Sequence, residues 1–207
     1  MVTNKDDMMI THRITIKDGQ SAPEGFIEDV FALDEEGYDT DLCGDISQLK
    51  KRTEFLKDSF VLMYVEDRLI GYINFFPVSE SLFKELTDKN NNVMRDDDIE
   101  PHEMKHWSTD ENNVFIISLV IKKEFRNSNA IVVLGNEFLN YLRDKNSSGY
   151  TITSLSGSAV SNGGANFLKR FGAHFDRFLE HDYRFYITQE DELQVLLKSN
   201  SKLQKDI

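Results

Sequence analysis

A chain of 207 residues, 40% hydrophobic and 29% charged, can bury a sizeable core and is expected to form one domain over residues 1–207. Its net charge of −12 argues against nucleic-acid binding, which calls for a basic footprint. The single cysteine, Cys43, excludes an internal disulfide and reads as a buried, inert thiol in a reducing compartment. Met1 to Asp7 is polar, without an apolar leader core, and no run reaches membrane-spanning length, so a cytoplasmic protein with no membrane contact is expected.

His12 to Lys17 alternates as a short strand that stops at Asp18-Gly19. Pro23 starts a helical pattern with Phe26, Ile27, Val30, Phe31 and Leu33 on one side, closing near Gly37. Between Asp18 and Leu49 stand ten Asp or Glu residues and no Lys or Arg. That stretch is either a solvated acidic surface or a lip, including Asp34, Glu35 and Glu36, that attracts a cationic acceptor. Asp45 or Ser47 caps a second helix through Asp58. Phe60 to Val65 and Leu69 to Phe76 read as a hairpin closed across Glu66-Asp67-Arg68, and Ser79 to Lys89 as a short helix.

Residues 90–113 are polar, acidic and aperiodic. Within them, His102-Glu103-Met104-Lys105-His106 satisfies H-E-x-x-H, which on a helix sets two imidazoles one turn apart for zinc, with the glutamate as base. No third ligand stands out downstream. An incidental surface helix, or an acceptor-binding lid with Trp107 as an aromatic contact, is the competing reading, and no metal is expected.

Val114 to Ile121 is too continuously apolar for a half-exposed strand and suits one covered on both faces. From Ala130 the period becomes helical through Ile131, Leu134, Phe138, Tyr141 and Leu142. Between them, Lys122 to Asn129 forms a basic loop that opens a helix, a ready anion site. Asn127 and Asn129 tolerate the left-handed backbone that a nest of N–H groups needs. Tyr150 to Ser156 is a further strand, Ser161 to Phe171 a helix closed by Gly172, Phe175 to Glu180 and Tyr183 to Ile187 a strand pair, and Glu190 to Leu197 a terminal helix.

The central strand, loop and helix resemble the cofactor segment of the GNAT superfamily of acyl-CoA-dependent N-acyltransferases. That segment ends its strand in an apolar-x-Val pattern and continues Tyr/Phe-Arg-Gly-x-Gly-x-Gly/Ala into a helix. Leu119-Val120-Ile121 matches the strand end, and Phe125-Arg126 the aromatic–arginine pair. Asn127, Ser128, Asn129, Ala130 and Ile131 stand at the pyrophosphate loop, with all three glycines replaced. A second segment, Ser161 to Gly172, resembles the family's Asn-x-x-Ala-x-x-Leu-Tyr-x-x-x-Gly-Phe, with Ser161 at the Asn position and Leu168 at the Tyr position.

The resemblance implies an α/β (α+β) fold with a mixed central sheet of six to seven strands flanked by helices, an insertion at about 88–113 before the central strand and a helical tail at about 189–207. It implies an N-acetyltransferase moving an acyl group from acetyl-CoA, or another acyl-CoA, to a small-molecule or protein amine. Main-chain groups around Leu119 to Ile121 would pair with the pantetheine and polarise the thioester carbonyl, and Arg126 to Ile131 would hold the pyrophosphate. Leucine donates no proton, so the family's usual general acid is missing at Leu168, and Glu103 and Tyr183 are the candidates from elsewhere for acid–base work. A CoA-binding or ligand-sensing domain without turnover is the alternative, and a zinc hydrolase built on His102, Glu103 and His106 a third. Sheet edges of such folds also pair between chains, so a homodimer is a candidate assembly.

Overall fold

The computed structural model describes residues 14–39, 42–126, 128–199 and 203. In chain order the elements are β1 (Ile14–Asp18), α1 (Phe26–Gly37), α2 (Ile46–Phe55), β2 (Phe60–Val65), β3 (Arg68–Pro77), α3 (Glu80–Thr87), β4 (Glu111–Ile121), α4 (Ala130–Ser147), β5 (Thr151–Ala159), α5 (Asn162–Arg170), β6 (Ala173–Phe178), β7 (Arg184–Thr188) and α6 (Glu190–Lys198). The strands form one seven-stranded sheet in the order β1-β2-β3-β4-β5-β7-β6. Every pairing is antiparallel except β4 with β5.

The apolar runs follow from covering both faces of this sheet. In β2, Phe60, Leu62 and Tyr64 pack under α1 and α2 with Phe26, Val30 and Leu49. Val61, Met63 and Val65 alternate to the opposite face, against Leu134, Phe138 and Leu142 of α4. A strand buried on both faces has no polar side to show, so its sequence reads as continuous. The hairpin turn is tight: Glu66 and Asp67 both take positive φ, 49° and 62°. This is the pair of left-handed residues that matches strand twist in a two-residue loop. Asp45, Ser79 and Ser161 cap α2, α3 and α5 by accepting N–H bonds from the first turn.

Several boundaries differ from the sequence expectations. The first helix begins at Phe26 rather than Pro23, and β1 ends at Asp18; His12, at the start of the expected strand, lies outside the described residues. β4 starts at Glu111 rather than Val114, so the connection before it ends at about residue 110. Asn112 concealed that start: it is polar yet fully buried, its side-chain amide donating to the carbonyls of Ser108, Asp110 and Thr151. Residues 90–110 lack periodicity because cations tie them down, not a helix face. Arg52 binds the Asp97 carboxylate at 3.0 Å and the Asp97 carbonyl at 3.0 Å, and Arg95 pairs with Glu85, Asp98 and Glu103.

The H-E-x-x-H spacing does not become a zinc site. Pro101–Glu103 is a single tight turn, after which Met104 is extended and bridges to Val78. His106 stacks on Phe55 with ring centroids 4.4 Å apart, and no metal-ligating cluster exists among the described residues. Trp107 is packing, not a lid: it contacts Tyr141 and Tyr150, and its indole donates to the Asp58 carbonyl.

The left-handed hairpin residue gives a stability test. Asp67→Gly is expected to stabilise the fold by about 0.5–1 kcal/mol, because glycine adopts φ of 62° without a Cβ penalty. Urea unfolding reads this directly; a lowered midpoint would show that the Asp67 side chain outweighs the backbone cost.

Candidate functional site

β4 and β5 pair in parallel from Glu111↔Thr151 to Ile116↔Gly157 and then part. Beyond that point β4 stays with β3 through Ser118 to Ile121, while β5 turns to β7. The register slips between Asn74↔Ser118 and Phe75↔Ile116, so Ile117 is an extra residue, a bulge that bends β4. The edge of β4 past the bulge therefore faces a cleft of about 540 Å³ instead of a strand.

A backbone edge inside a protein still needs partners. The Leu119 N–H donates to the Tyr38 hydroxyl at 3.3 Å, and the same hydroxyl donates to the Leu119 carbonyl at 3.2 Å. The Ile121 carbonyl accepts from Arg126 Nε at 2.9 Å. Side chains thus occupy positions that a neighbouring strand would otherwise fill.

Of the predicted binding residues, Leu119, Val120, Ile121, Arg126, Ile131 and Ser161 line this cleft. Ser128, Asn129 and Ala130 do not. The Ser128 hydroxyl folds back to the Phe125 carbonyl (2.7 Å) and accepts from Ala130 N–H (3.1 Å), and Ala130 is fully buried in the core. Asn129 has φ −81°, so the expected left-handed nest is absent there; its buried Oδ1 has no hydrogen-bond partner. Asn127 lies outside the described residues. Ile131 sits in the first turn of α4, where N–H groups have no helical acceptor. Lys122 is paired with Glu36 at 2.9 Å, whereas Arg126 makes no ion pair among the described residues.

The other end of the cleft meets a smaller cavity of about 60 Å³, and Tyr38, Ile117, Ser118 and Ser158 line both. The cavity lies under α1, α2 and the 90–110 connection, with Asp34, Asp96 and Asp97 in its wall. A chain of hydroxyls crosses the junction. Tyr72 donates to the Asp34 carboxylate, its oxygen lies 2.7 Å from Ser118 Oγ, and Ser118 Oγ lies 3.2 Å from the Tyr38 oxygen. Burial pushes the Asp34 carboxyl up to about 6, outweighing the hydrogen bonds from Tyr72 and Ser118. Asp96 rises to about 7, again by burial, which exceeds the opposing pull of Arg52, with Asp97 and Asp34 adding repulsion. Burial also lifts the Tyr38 phenol to about 12, so it stays protonated at neutral pH. Cys43 is half-buried with its thiol pushed up by burial and by nearby carboxylates, an inert group.

The predicted acid–base candidates lie elsewhere. Glu103 accepts from Arg95 and from the Glu100 N–H, and Tyr183 lies beside His181 just before β7; neither lines the cleft or the cavity. Leu168 lies against Gly157 in the cleft wall, so no phenol occupies that position. Of the acidic lip, Asp34 and Asp45 line the cavity and Asp39 the cleft; Glu35 is exposed and Glu36 serves Lys122. Sequence reasoning passed over Tyr38, Tyr72, Ser118 and Asp96. One signal was available: Ser118 is the single polar residue between Val114 and Ile121, and a buried hydroxyl demands partners.

No family model and no curated protein matches the sequence. Solved structures do match the fold. A GNAT-like decarboxylase, GphF, in complex with isobutyryl-CoA superposes with a TM-score of 0.61 at 11% identity, covering 86% of this chain and 99% of that one. The NatC complex bound to Gag peptide and CoA gives 0.55 at 11% identity over 86% and 98%. The ribosomal-protein-S18-alanine N-acetyltransferase from Escherichia coli gives 0.54 at 6% identity over 86% and 94%. The fold is that of the GNAT superfamily, as the resemblance implied.

The raised carboxyls set a pH dependence of stability. A carboxyl whose pKa is higher in the folded than in the unfolded chain favours folding below its ordinary value of 3.8, and that contribution is lost as pH rises through 6 to 7. Asp96→Asn is therefore expected to melt higher than wild type at pH 8, with the gain shrinking below pH 7 and gone near pH 4. A melting difference that is flat across this range would place Asp96 in water.

Proposed function

We propose that this GNAT-fold chain is an acyltransferase that takes an acyl group from acetyl-CoA, or another acyl-CoA, and passes it to the primary amine of a cationic small molecule or protein. The observation that carries the reading is the strand edge from Leu119 to Ile121, which faces a cleft with its main-chain groups held only by two side chains. An extended chain bearing amides, as pantetheine does, adds to such an edge as an extra strand would. Arg126 and the first turn of α4 stand at one end, where a pyrophosphate would find a guanidinium and a positive helix end. Bound acyl-CoA would supply the activated carbonyl, and the Leu119 N–H points to where its oxygen would be polarised.

The acceptor side supports an amine. Arg52 already neutralises Asp97, whereas Asp34 is met by hydroxyls and the Asp96 carboxylate has no ion pair among the described residues. Two half-buried carboxyls beside Phe31, Leu49 and Phe115 favour a cation with an apolar body. A cation there would also draw both carboxyls back toward their ionised forms.

A second reading has its own support. Leu168 in the usual donor position and the Tyr38 hydroxyl on Leu119 fit a domain that binds CoA without turnover. Calorimetry with acetyl-CoA tests the common part. Binding at ~micromolar affinity is expected, weakened about tenfold by Arg126→Ala, the scale of one charge-assisted contact. No binding at millimolar ligand would reject both readings. Free-thiol release with a panel of alkyl monoamines and diamines then separates them: release that favours diamines supports the transferase, and tight binding without any release supports the silent domain.

A further inference from the structure

We propose that Tyr38 is the general acid of this site, delivering its phenolic proton to the departing CoA thiolate, and that Ser118, Tyr72 and Asp34 form the chain that returns a proton to it. The assignment rests on the acyltransferase reading above.

The geometry points there for three reasons. Leu168 leaves the wall of α5 without a hydroxyl, so a donor must come from another element. Tyr38 follows directly on α1, and its oxygen already contacts both main-chain atoms of Leu119, where the thioester would sit, at the junction of cleft and acceptor cavity. Behind it, hydroxyls continue without a gap, from Ser118 Oγ at 3.2 Å to the Tyr72 oxygen 2.7 Å further on and then to Asp34, whose carboxylate faces the cavity. Tyr72 is fully buried, a costly place for a phenol whose only task is to fill space.

The proton inventory closes on this chain. The neutral amine forms the C–N bond as the C–S bond breaks, and the C–S electron pair stays on sulfur. Sulfur takes the proton of Tyr38; Ser118 gives its proton to Tyr38, and Tyr72 gives its own to Ser118. The surplus proton on nitrogen passes to the Asp34 carboxylate, which returns one to Tyr72. The net change is one proton moved from nitrogen to sulfur, with no other reactant. Charged groups that face the chain are Asp34 on α1, Arg52 on α2, and Asp96 and Asp97 in the connection.

The test needs no knowledge of the acceptor. The thiol of reduced CoA bound to the full chain is titrated by thiolate ultraviolet absorbance, in wild type, Tyr38→Phe and Ser118→Ala. A donor aimed at sulfur stabilises the thiolate, so the bound thiol of wild type should ionise about tenfold more readily than that of Tyr38→Phe, roughly one pH unit. Ser118→Ala keeps the phenol and should keep most of that shift, whereas general disturbance of the network would remove it in both variants. Equal thiol ionisation in wild type and a folded, CoA-binding Tyr38→Phe overturns the proposal, as does a wild-type thiol that titrates like free CoA. Failure of wild type to bind CoA at all would instead overturn the acyltransferase reading, and this assignment with it.

Discussion

A main-chain N–H and carbonyl cannot be left bare beside a packed core, and the whole site grows from that constraint at Leu119. The parallel ladder between β4 and β5 ends at Ile116 and Gly157 because Ile117 is inserted as a bulge and β5 leaves for β7. Gly157 marks the last close approach: a Cβ there would lie 3.1 Å from the Ile116 carbonyl and 3.2 Å from Leu168. Once the strands part, the edge of β4 must be satisfied by something that is not a strand. Gly37 makes the solution local. A Cβ at that position would stand 2.8 Å from Val120, so only glycine lets the end of α1 approach β4 closely enough to lay the Tyr38 hydroxyl on Leu119. Sheet geometry thereby selects which side chain guards the cleft.

The same closure creates the electrostatics of the smaller cavity. Bringing α1 and α2 down on the sheet half-buries Asp34, and fastening residues 90–110 through Arg52 and Arg95 brings Asp96 and Asp97 to the same cavity. The two arginines are largely consumed by this fastening. Arg52 holds two carbonyls and one carboxylate, and Arg95 three carboxylates. What remains facing the cavity is negative and partly dehydrated, and that is why burial dominates the carboxyls of Asp34 and Asp96. An acidic composition spread evenly over a surface has no such consequence; here the fold concentrates it in the wall of one cavity.

Most elements were legible because apolar period survives whatever the tertiary partner is. The doubly covered strands and the α4 stripe declared themselves in this way, as did the cap of α2, which Asp45 rather than Ser47 supplies. Spacing failed where chemistry depends on backbone that spacing does not encode. His102 and His106 have helical spacing, but the backbone between them leaves the helix at an extended Met104, and the His106 ring stacks on Phe55. Asn129 was read as a left-handed position, and a right-handed backbone occupies it. Glu103 looked like a base and is a cap held by Arg95. The Tyr38–Ser118–Tyr72–Asp34 chain was out of reach for another reason: its members are joined only when α1, β3 and β4 are packed, with Tyr38 and Leu119 eighty-one positions apart.

The low identities to the structural neighbours, 6% to 11% in the three cases compared, follow from the same physics. The part of the cleft that defines the fold is made of main-chain atoms, a bulge and a parting of strands, and any apolar residue can supply those. The resemblance sets glycines at the positions of Asn127, Asn129 and Ile131 and a tyrosine at that of Leu168; here side chains of other kinds stand there, and Ile131 and Leu168 line the cleft. The Tyr38 hydroxyl reaches Leu119 from the end of α1, while Leu168 on α5 lines the same cleft without a hydroxyl. The backbone of β4 thus fixes the edge that the cleft presents, and side chains from the surrounding helices and loops decide how that edge is met.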